Sequence, residues 1–245
     1  MPYLVLRLRI PLRFLALLLL VIGIPSVTGY LMAGGGVAVL TTAPGPVYQG
    51  SAAKRLIALT FNVYWGEEHI PALLRLLRAR KVKATFFLGG QWVEKYPELA
   101  QEIARDFEIG SHGYAHRAPN HLSVEDNLAE IRRAEAIIEG VTKKRPRLFA
   151  PPYGDCGPAV LEAANQAGYR VILWSIDSVD WRNPPAAAIA SKVVSRAHNG
   201  AIVLLHPTDS TLEALPRIIT ELGGRGFEFV TVSELLAEAQ TQPER

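Results

Sequence analysis

Residues 56–88 read LIALTFNVYWGEEHIPALLRLLRARKVKATFFL. The apolar run from Leu56 to Asn62 reads as a strand, the amphipathic stretch from about His69 to Ala79 as a helix, and Ala84 to Leu88 as a second strand. Two strands joined through a helix are expected to lie parallel, since a tight hairpin does not connect them. The pattern recurs down the chain. Further strands are expected at Phe107 to Gly110, Arg147 to Ala150, Arg170 to Trp174, Ala201 to Leu205 and Phe227 to Thr231. Helices are expected at about Tyr96 to Arg105, Ser123 to Glu139, Pro158 to Ala167, Pro185 to Ala197, Leu212 to Leu222 and Val232 to Ala239. Ser123 with Asp126 and Thr231 with Glu234 have capping-box spacing, and Gly140 and Gly168 stand where helices should stop. Seven strand-helix units make an α/β chain, either a parallel barrel or a doubly wound sheet. In both, the residues that follow the strands line one common face.

Upstream the character changes. Phe14 to Met32 is apolar and free of charge, and Arg7, Arg9 and Arg13 stand just before it. About 20 apolar residues span a bilayer, and basic flanks stay on the cytoplasmic side, so the chain after residue 33 is expected outside the cytoplasm. Two readings stay open for residues 1–33: a membrane anchor holding the domain to the cell membrane, or a signal peptide with its apolar core at Phe14 to Ile24 and a secreted domain. Residues 34–53, with Gly34, Gly35, Gly36, Pro44 and Pro46, read as a linker; residues 54–239 form the domain, and 240–245 a polar tail.

With 245 residues, 49% apolar and 20% charged, the chain is long enough for one sizeable core and too apolar for disorder. A single cysteine, Cys156, excludes an intramolecular disulfide framework and a thiolate zinc cluster. The formal net charge of +3 belongs to the first segment: without its three arginines, 23 basic side chains face 23 acidic ones. A charge-neutral domain with no basic run interleaved with aromatics argues against a nucleic-acid partner.

The strand ends collect a short list of polar residues. Asn62 follows the first strand, His112 and His116 the third, Pro151, Pro152 and Tyr153 the fourth, Asp177, Asp180 and Trp181 the fifth, and His206 the sixth. His112 and His116, four residues apart on a turn bracketed by Gly110 and Gly113, can reach one ion. His206 ends a strongly apolar strand, where a histidine is either a satisfied core group or a catalytic one. Asp180 is suited to orient it as a proton donor, or to cap the Pro184–Pro185 turn. His69, His121 and His198 lie in polar contexts and read as solvated surface.

Residues 54–239 resemble the polysaccharide deacetylases, the NodB-homology or carbohydrate esterase family 4 group. The family's Thr-Phe-Asp-Asp-Gly-Pro motif corresponds to Thr60-Phe61-Asn62-Val63, continuing as Tyr64-Trp65. His-Ser/Thr-x-x-His aligns with His112 to His116, and Arg-Pro-Pro-Tyr-Gly with Ala150 to Gly154. Asp-x-x-Asp-Trp is intact at Asp177 to Trp181, and Leu-x-His at Leu204 to His206. The resemblance implies an irregular (β/α) barrel that removes acetyl groups from peptidoglycan or a chitin-like glycan. It implies a divalent metal, zinc or else cobalt or manganese, held by His112, His116 and an aspartate. It also implies His206 as proton donor. Tyr153, Trp181 and Tyr64 near the mouth read either as surfaces for sugar rings or as plain packing, and Trp65, with Leu204, is expected to face substrate. Trp174 reads as core.

Three positions depart from the family together. Asn62 stands at the general base and cannot take a proton at ordinary pH; Val63 stands at the metal carboxylate and offers no ligand atom; Ala150 replaces the arginine that would steady the base. Glu67, Glu68 and Asp155 are the carboxylates near enough in sequence to substitute. Two functions follow: a deacetylase working through a substituted site with a weakened metal, or a glycan-binding pseudoenzyme of envelope assembly or sporulation.

Overall fold

A computed structural model describes residues 45–240. The N-terminal membrane or signal segment expected at 1–33 lies outside these residues, as does most of the tail; no helix among the described residues is long and apolar enough to cross a membrane. Among the described residues there are eight strands: β1 Leu56–Val63, β2 Thr85–Leu88, β3 Glu108–Ser111, β4 Leu148–Phe149, β5 Arg170–Val171, β6 Ile176–Asp177, β7 Ala201–Leu205 and β8 Glu228–Phe229. They form one sheet in the order β5-β4-β3-β2-β1-β7-β6, with β8 also against β1. Every strand pairing is parallel, which fits the expected (β/α) barrel.

The helices between are α1 Ile70–Ala79, α2 Gly90–Lys95, α3 Pro97–Asp106, α4 Val124–Thr142, α5 Pro158–Ala167, α6 Ala186–Arg196, α7 Asp209–Gly224 and α8 Val232–Gln240. Both expected caps form. Asp126 N donates to Ser123 Oγ at 3.1 Å, and at α8 the exchange is reciprocal: Glu234 N to Thr231 Oγ1 (3.1 Å) and Thr231 N to Glu234 Oε2 (2.9 Å). Gly168 caps α5 in the left-handed region, as expected, whereas α4 runs through Gly140 and is capped by Lys143 at φ 59°.

Alternation along β1 divides the core. Ile57, Leu59, Phe61 and Val63 pack into one cluster with the helical residues Leu73, Leu74 and Leu77, while Leu56 and Ala58 belong to a second cluster with Phe87, Leu148, Ala150, Ile202 and Leu235. Asn62 is in register with the second set. The strand parity therefore turns Asn62 towards the barrel interior and Val63 into the apolar layer beneath the helices.

The linker expected at 34–53 is not separate from the barrel at its C-terminal end. Val47 bridges Ile172 beyond β5, Gln49 bridges Ala201 of β7, and Gly50 N donates to Gly200 O at 2.8 Å. These residues bridge the edge strand β5 to β7. Gly200, at φ 77°, tolerates the approach because a Cβ there would stand 2.6 Å from Ser51 O.

Candidate active site

The loops after β1, β3, β4, β6 and β7 enclose a cleft of about 390 Å³. Asn62, Trp65, His112, His116, Tyr153, Trp181, Leu204 and His206 all line it, so the residues singled out from sequence converge. Tyr64, Asp177 and Trp174 line it too. Trp174, expected as core, does both jobs: it packs against the inner apolar cluster and presents its remaining surface to the cleft.

Asp180 lies behind His206, fully buried. Its Oδ1 stands 2.8 Å from His206 Nδ1, and its Oδ2 accepts from His206 N (2.6 Å) and from the Thr211 hydroxyl (2.6 Å). A carboxylate only accepts, so His206 carries its proton on Nδ1 and has Nε2 left for the cleft. Asp180 is thus the orienting group, not a cap for the Pro184–Pro185 turn. Thr211 carries no strand-end signal because it belongs to the α7 capping turn, where Thr211 N donates to Thr208 Oγ1 at 3.0 Å. Trp65 lies parallel on the His206 ring, with centroids 5.7 Å apart and planes 7° apart.

Across the cleft, His112 is buried and its Nδ1 donates to Ala150 O at 2.6 Å, leaving Nε2 as the unengaged nitrogen. Burial first, and then the neighbouring His116, hold the His112 imidazole far below its ordinary value, at about 3. The unfolded chain takes a proton at His112 around pH 6.5; the native site refuses it until about pH 3. His112 therefore leaves the fold undisturbed above the unfolded value and destabilises it progressively as pH falls from there. Urea unfolding at about pH 7 and about pH 5 checks this: the native chain is expected to lose stability at the lower pH, and His112→Asn to lose less of it. His116, in the left-handed region at φ 52°, is also shifted down by burial, and its ring is 5.0 Å from that of His112.

The loop after β1 is pinned by Gly66. At φ 79° it adopts a conformation that favours glycine, and a Cβ would meet Pro207 O at 2.2 Å. This contact clamps the turn bearing Trp65 onto the turn bearing His206. Gly66→Ala is expected to cost roughly 1–3 kcal/mol and to unstack Trp65 from His206, read as a lower Tm and a changed tryptophan emission.

The substitute carboxylates are elsewhere. Glu67 accepts a hydrogen bond from Tyr96, which lowers its pKa; Glu68 lies 3.3 Å from His69; Asp155 accepts from Asn120 N at 3.2 Å. None of the three lines the cleft. His69 and His198 are not merely solvated: His69 also approaches Asp209 at 3.3 Å, and His198 bonds Ser175 Oγ at 3.1 Å.

The residues present do not fit a complete metal centre. Val63 is wholly buried among apolar side chains, and no group of three histidine, cysteine or acidic residues among the described residues is placed to hold an ion. Asn62, 5% exposed, has its Oδ1 buried without a hydrogen-bond partner.

An all-parallel sheet with paired histidines after β3 and a histidine hydrogen-bonded to a buried aspartate after β7 is the arrangement that the resemblance to the carbohydrate deacetylases leads one to expect. The chain belongs to the polysaccharide deacetylase family, which it matches over residues 49–172. It is 38% identical over 190 residues to a peptidoglycan-N-acetylglucosamine deacetylase of Bacillus cereus, covering 75% of this chain and 89% of that one. It is 37% identical over 198 residues to the uncharacterized protein YlxY of Bacillus subtilis, covering 80% of this chain but spanning only 62% of the relative's length. Among solved structures it is similar to BA3943, a CE4 family pseudoenzyme from Bacillus anthracis, with a TM-score of 0.77 at 37% identity over 78% of this chain and 69% of that one. A mutant of BA3943 with restored enzymatic activity has the same TM-score at 36% identity, over 78% and 71% of the two chains.

Proposed function

We propose that this protein engages an acetylated cell-wall glycan, peptidoglycan or a chitin-like chain, in the deacetylase cleft without turning it over efficiently. The observation that carries this is the pair at the end of β1: Asn62 at the base position, an amide that cannot accept a proton, and Val63 turned into the apolar core. Loss of a general base alone typically forfeits roughly 10²- to 10⁴-fold in rate. The likeness to a CE4 pseudoenzyme and to peptidoglycan deacetylases supports the same reading. In it, His206 and Asp180 are the surviving proton-handling pair, His112 and His116 are what is left of the metal site, and Tyr153, Trp65, Trp181 and Leu204 face the sugar. The apolar segment at Phe14 to Met32 supports a domain outside the cytoplasm, tethered to the membrane or released.

A slow deacetylase is the second reading, favoured by the intact Asp180–His206 hydrogen bond, since a mere binder has no use for an oriented imidazole. One experiment separates them. The full chain, stripped of metal and then given zinc, cobalt or manganese, is assayed for acetate release from acetylated chitooligosaccharide and from peptidoglycan, with glycan binding measured in parallel. Binding without acetate release is the expected result. Release with any metal establishes the second reading, and neither binding nor release removes both.

A further inference from the structure

Where the family motif continues as Gly-Pro, this chain has Tyr64-Trp65, and both aromatic rings land on site histidines. The Tyr64 ring stacks on His116, with centroids 4.7 Å apart and planes 28° apart, and its hydroxyl is anchored on Gln91 Oε1 at 2.6 Å. Tyr153 closes on His116 edge-on at 4.8 Å, its hydroxyl 3.3 Å from Nδ1. His116 is therefore held between two tyrosines as a wall. Trp65, stacked on His206, is 41% exposed and offers a flat apolar surface at the mouth. Aromatic faces carry negative charge density and suit the slightly positive C–H face of a pyranose ring.

Asn62 supplies what the aromatic surfaces lack. Its carboxamide combines an acceptor and two donors, and the acceptor is buried with no partner inside the protein, a state that costs free energy until a donor arrives. An acetamido group has the complementary pair, one N–H and one C=O. The ammonium group of a deacetylated amino sugar can donate to the Asn62 oxygen but offers no acceptor for the Asn62 N–H groups, and an unsubstituted sugar lacks the amide altogether.

We propose that the cleft recognises an N-acetylhexosamine without a metal, the Asn62 amide pairing with the acetamido group while the sugar ring lies on Trp65. The proposal rests on the reading of the cleft as a glycan site, and it adds that the amide and the aromatic rings have taken over the holding role that an ion has elsewhere in the family.

Calorimetric titration of the full chain with tetra-N-acetylchitotetraose and with its deacetylated counterpart, each in EDTA and in zinc, tests it. The acetylated sugar is expected to bind equally well in EDTA and in zinc, and at least about tenfold more tightly than the deacetylated one. Trp65→Ala, at a half-exposed position that leaves the core intact, is expected to weaken binding about tenfold with an unchanged Tm. Asn62→Asp, which removes the donor, is expected to abolish the preference for the acetylated sugar. Binding that disappears in EDTA and returns with zinc overturns the metal-free proposal while the glycan reading stands, as does equal affinity for the two sugars. No binding of either sugar under any condition removes the glycan reading itself.

Discussion

The combined substitution Asn62→Asp, Val63→Asp, Ala150→Arg is expected to release acetate from acetylated chitooligosaccharide roughly 10²- to 10⁴-fold faster than the native chain when zinc is supplied. The oriented imidazole is already in place: His206 is fixed through Nδ1 by a fully buried Asp180. What is missing is a group able to take a proton and a carboxylate able to hold an ion. The three changes belong together physically. Val63→Asp alone puts a carboxylate into the layer that holds Ile57, Leu59 and Phe61, so that variant is expected to melt lower in EDTA, and it recovers with zinc only where the end of β1 turns the new carboxylate towards His112 and His116. Ala150→Arg brings the cation that steadies the new base from the strand-end turn whose backbone carbonyl already holds His112. Acetate assays with and without chelator, read beside thermal melts, check both halves. A triple variant that folds, binds zinc and releases no acetate would mean that the groove has lost the pose that chemistry needs.

Asp180→Ala should be the most damaging single truncation around the cleft. Three donors converge on this carboxylate: the backbone and ring nitrogens of His206 and the hydroxyl of Thr211. Thr211 is wholly buried and Asp180 lies where water does not reach, so removal strands donors with no replacement. The cost is about 3 to 5 kcal/mol, which in a domain of this size lowers Tm by on the order of 10 °C. Asp180→Asn keeps one acceptor and is expected to fall between the two. Because the same carboxylate joins the turn after β6 to the turns at both ends of the β7–α7 connection, the variant is expected to lose the Trp65–His206 stack as well as stability. Differential scanning calorimetry with tryptophan emission reports the two losses separately.

Much of the barrel is legible locally, and the failures have a common cause. β7 matches its apolar run, Ala201 to Leu205, because a strand buried on both faces is a continuous hydrophobic string. The strand expected over Arg170 to Trp174 stops at Val171 because the backbone changes partners: Leu173 N donates to Val47 O, and Ser175 N to Ile202 O. No local pattern announces a switch to residues more than 25 positions away. The short helix α2 lies between Leu88 and Tyr96, where no element is expected; its Gly90 N is satisfied by Gly113 O from the next strand-end loop. Gly140 reads as a stop, yet a Cβ there would meet nothing within 4 Å, and the helix simply continues.

The site follows the same division. Histidine spacing and strand-end position are enough to bring His112, His116 and His206 together, since both depend on a few adjacent residues. The fate of Glu67 depended on Tyr96, and that of Asp180 on Thr211. Those pairings are made by the fold and carry no signature in either segment. Val63 is the instructive case: its apolar character was plain, but only the parity of β1 shows that it faces the helices while its neighbour Asn62 faces the cleft.

The bridges at Val47 and Gln49 bear on solubility. A parallel sheet with an uncovered end strand presents unpaired N–H and C=O groups, a template on which a second chain can add itself. Here the amide of Leu173 and the carbonyl of Val171 are both occupied by Val47. A chain shortened to begin at Lys54, the boundary that composition suggests, would keep every cleft residue and still leave that end strand bare. Light scattering is expected to show it self-associating where a chain retaining Gly45 onward stays monodisperse. The few residues ahead of the first strand act as a guard against strand-to-strand association.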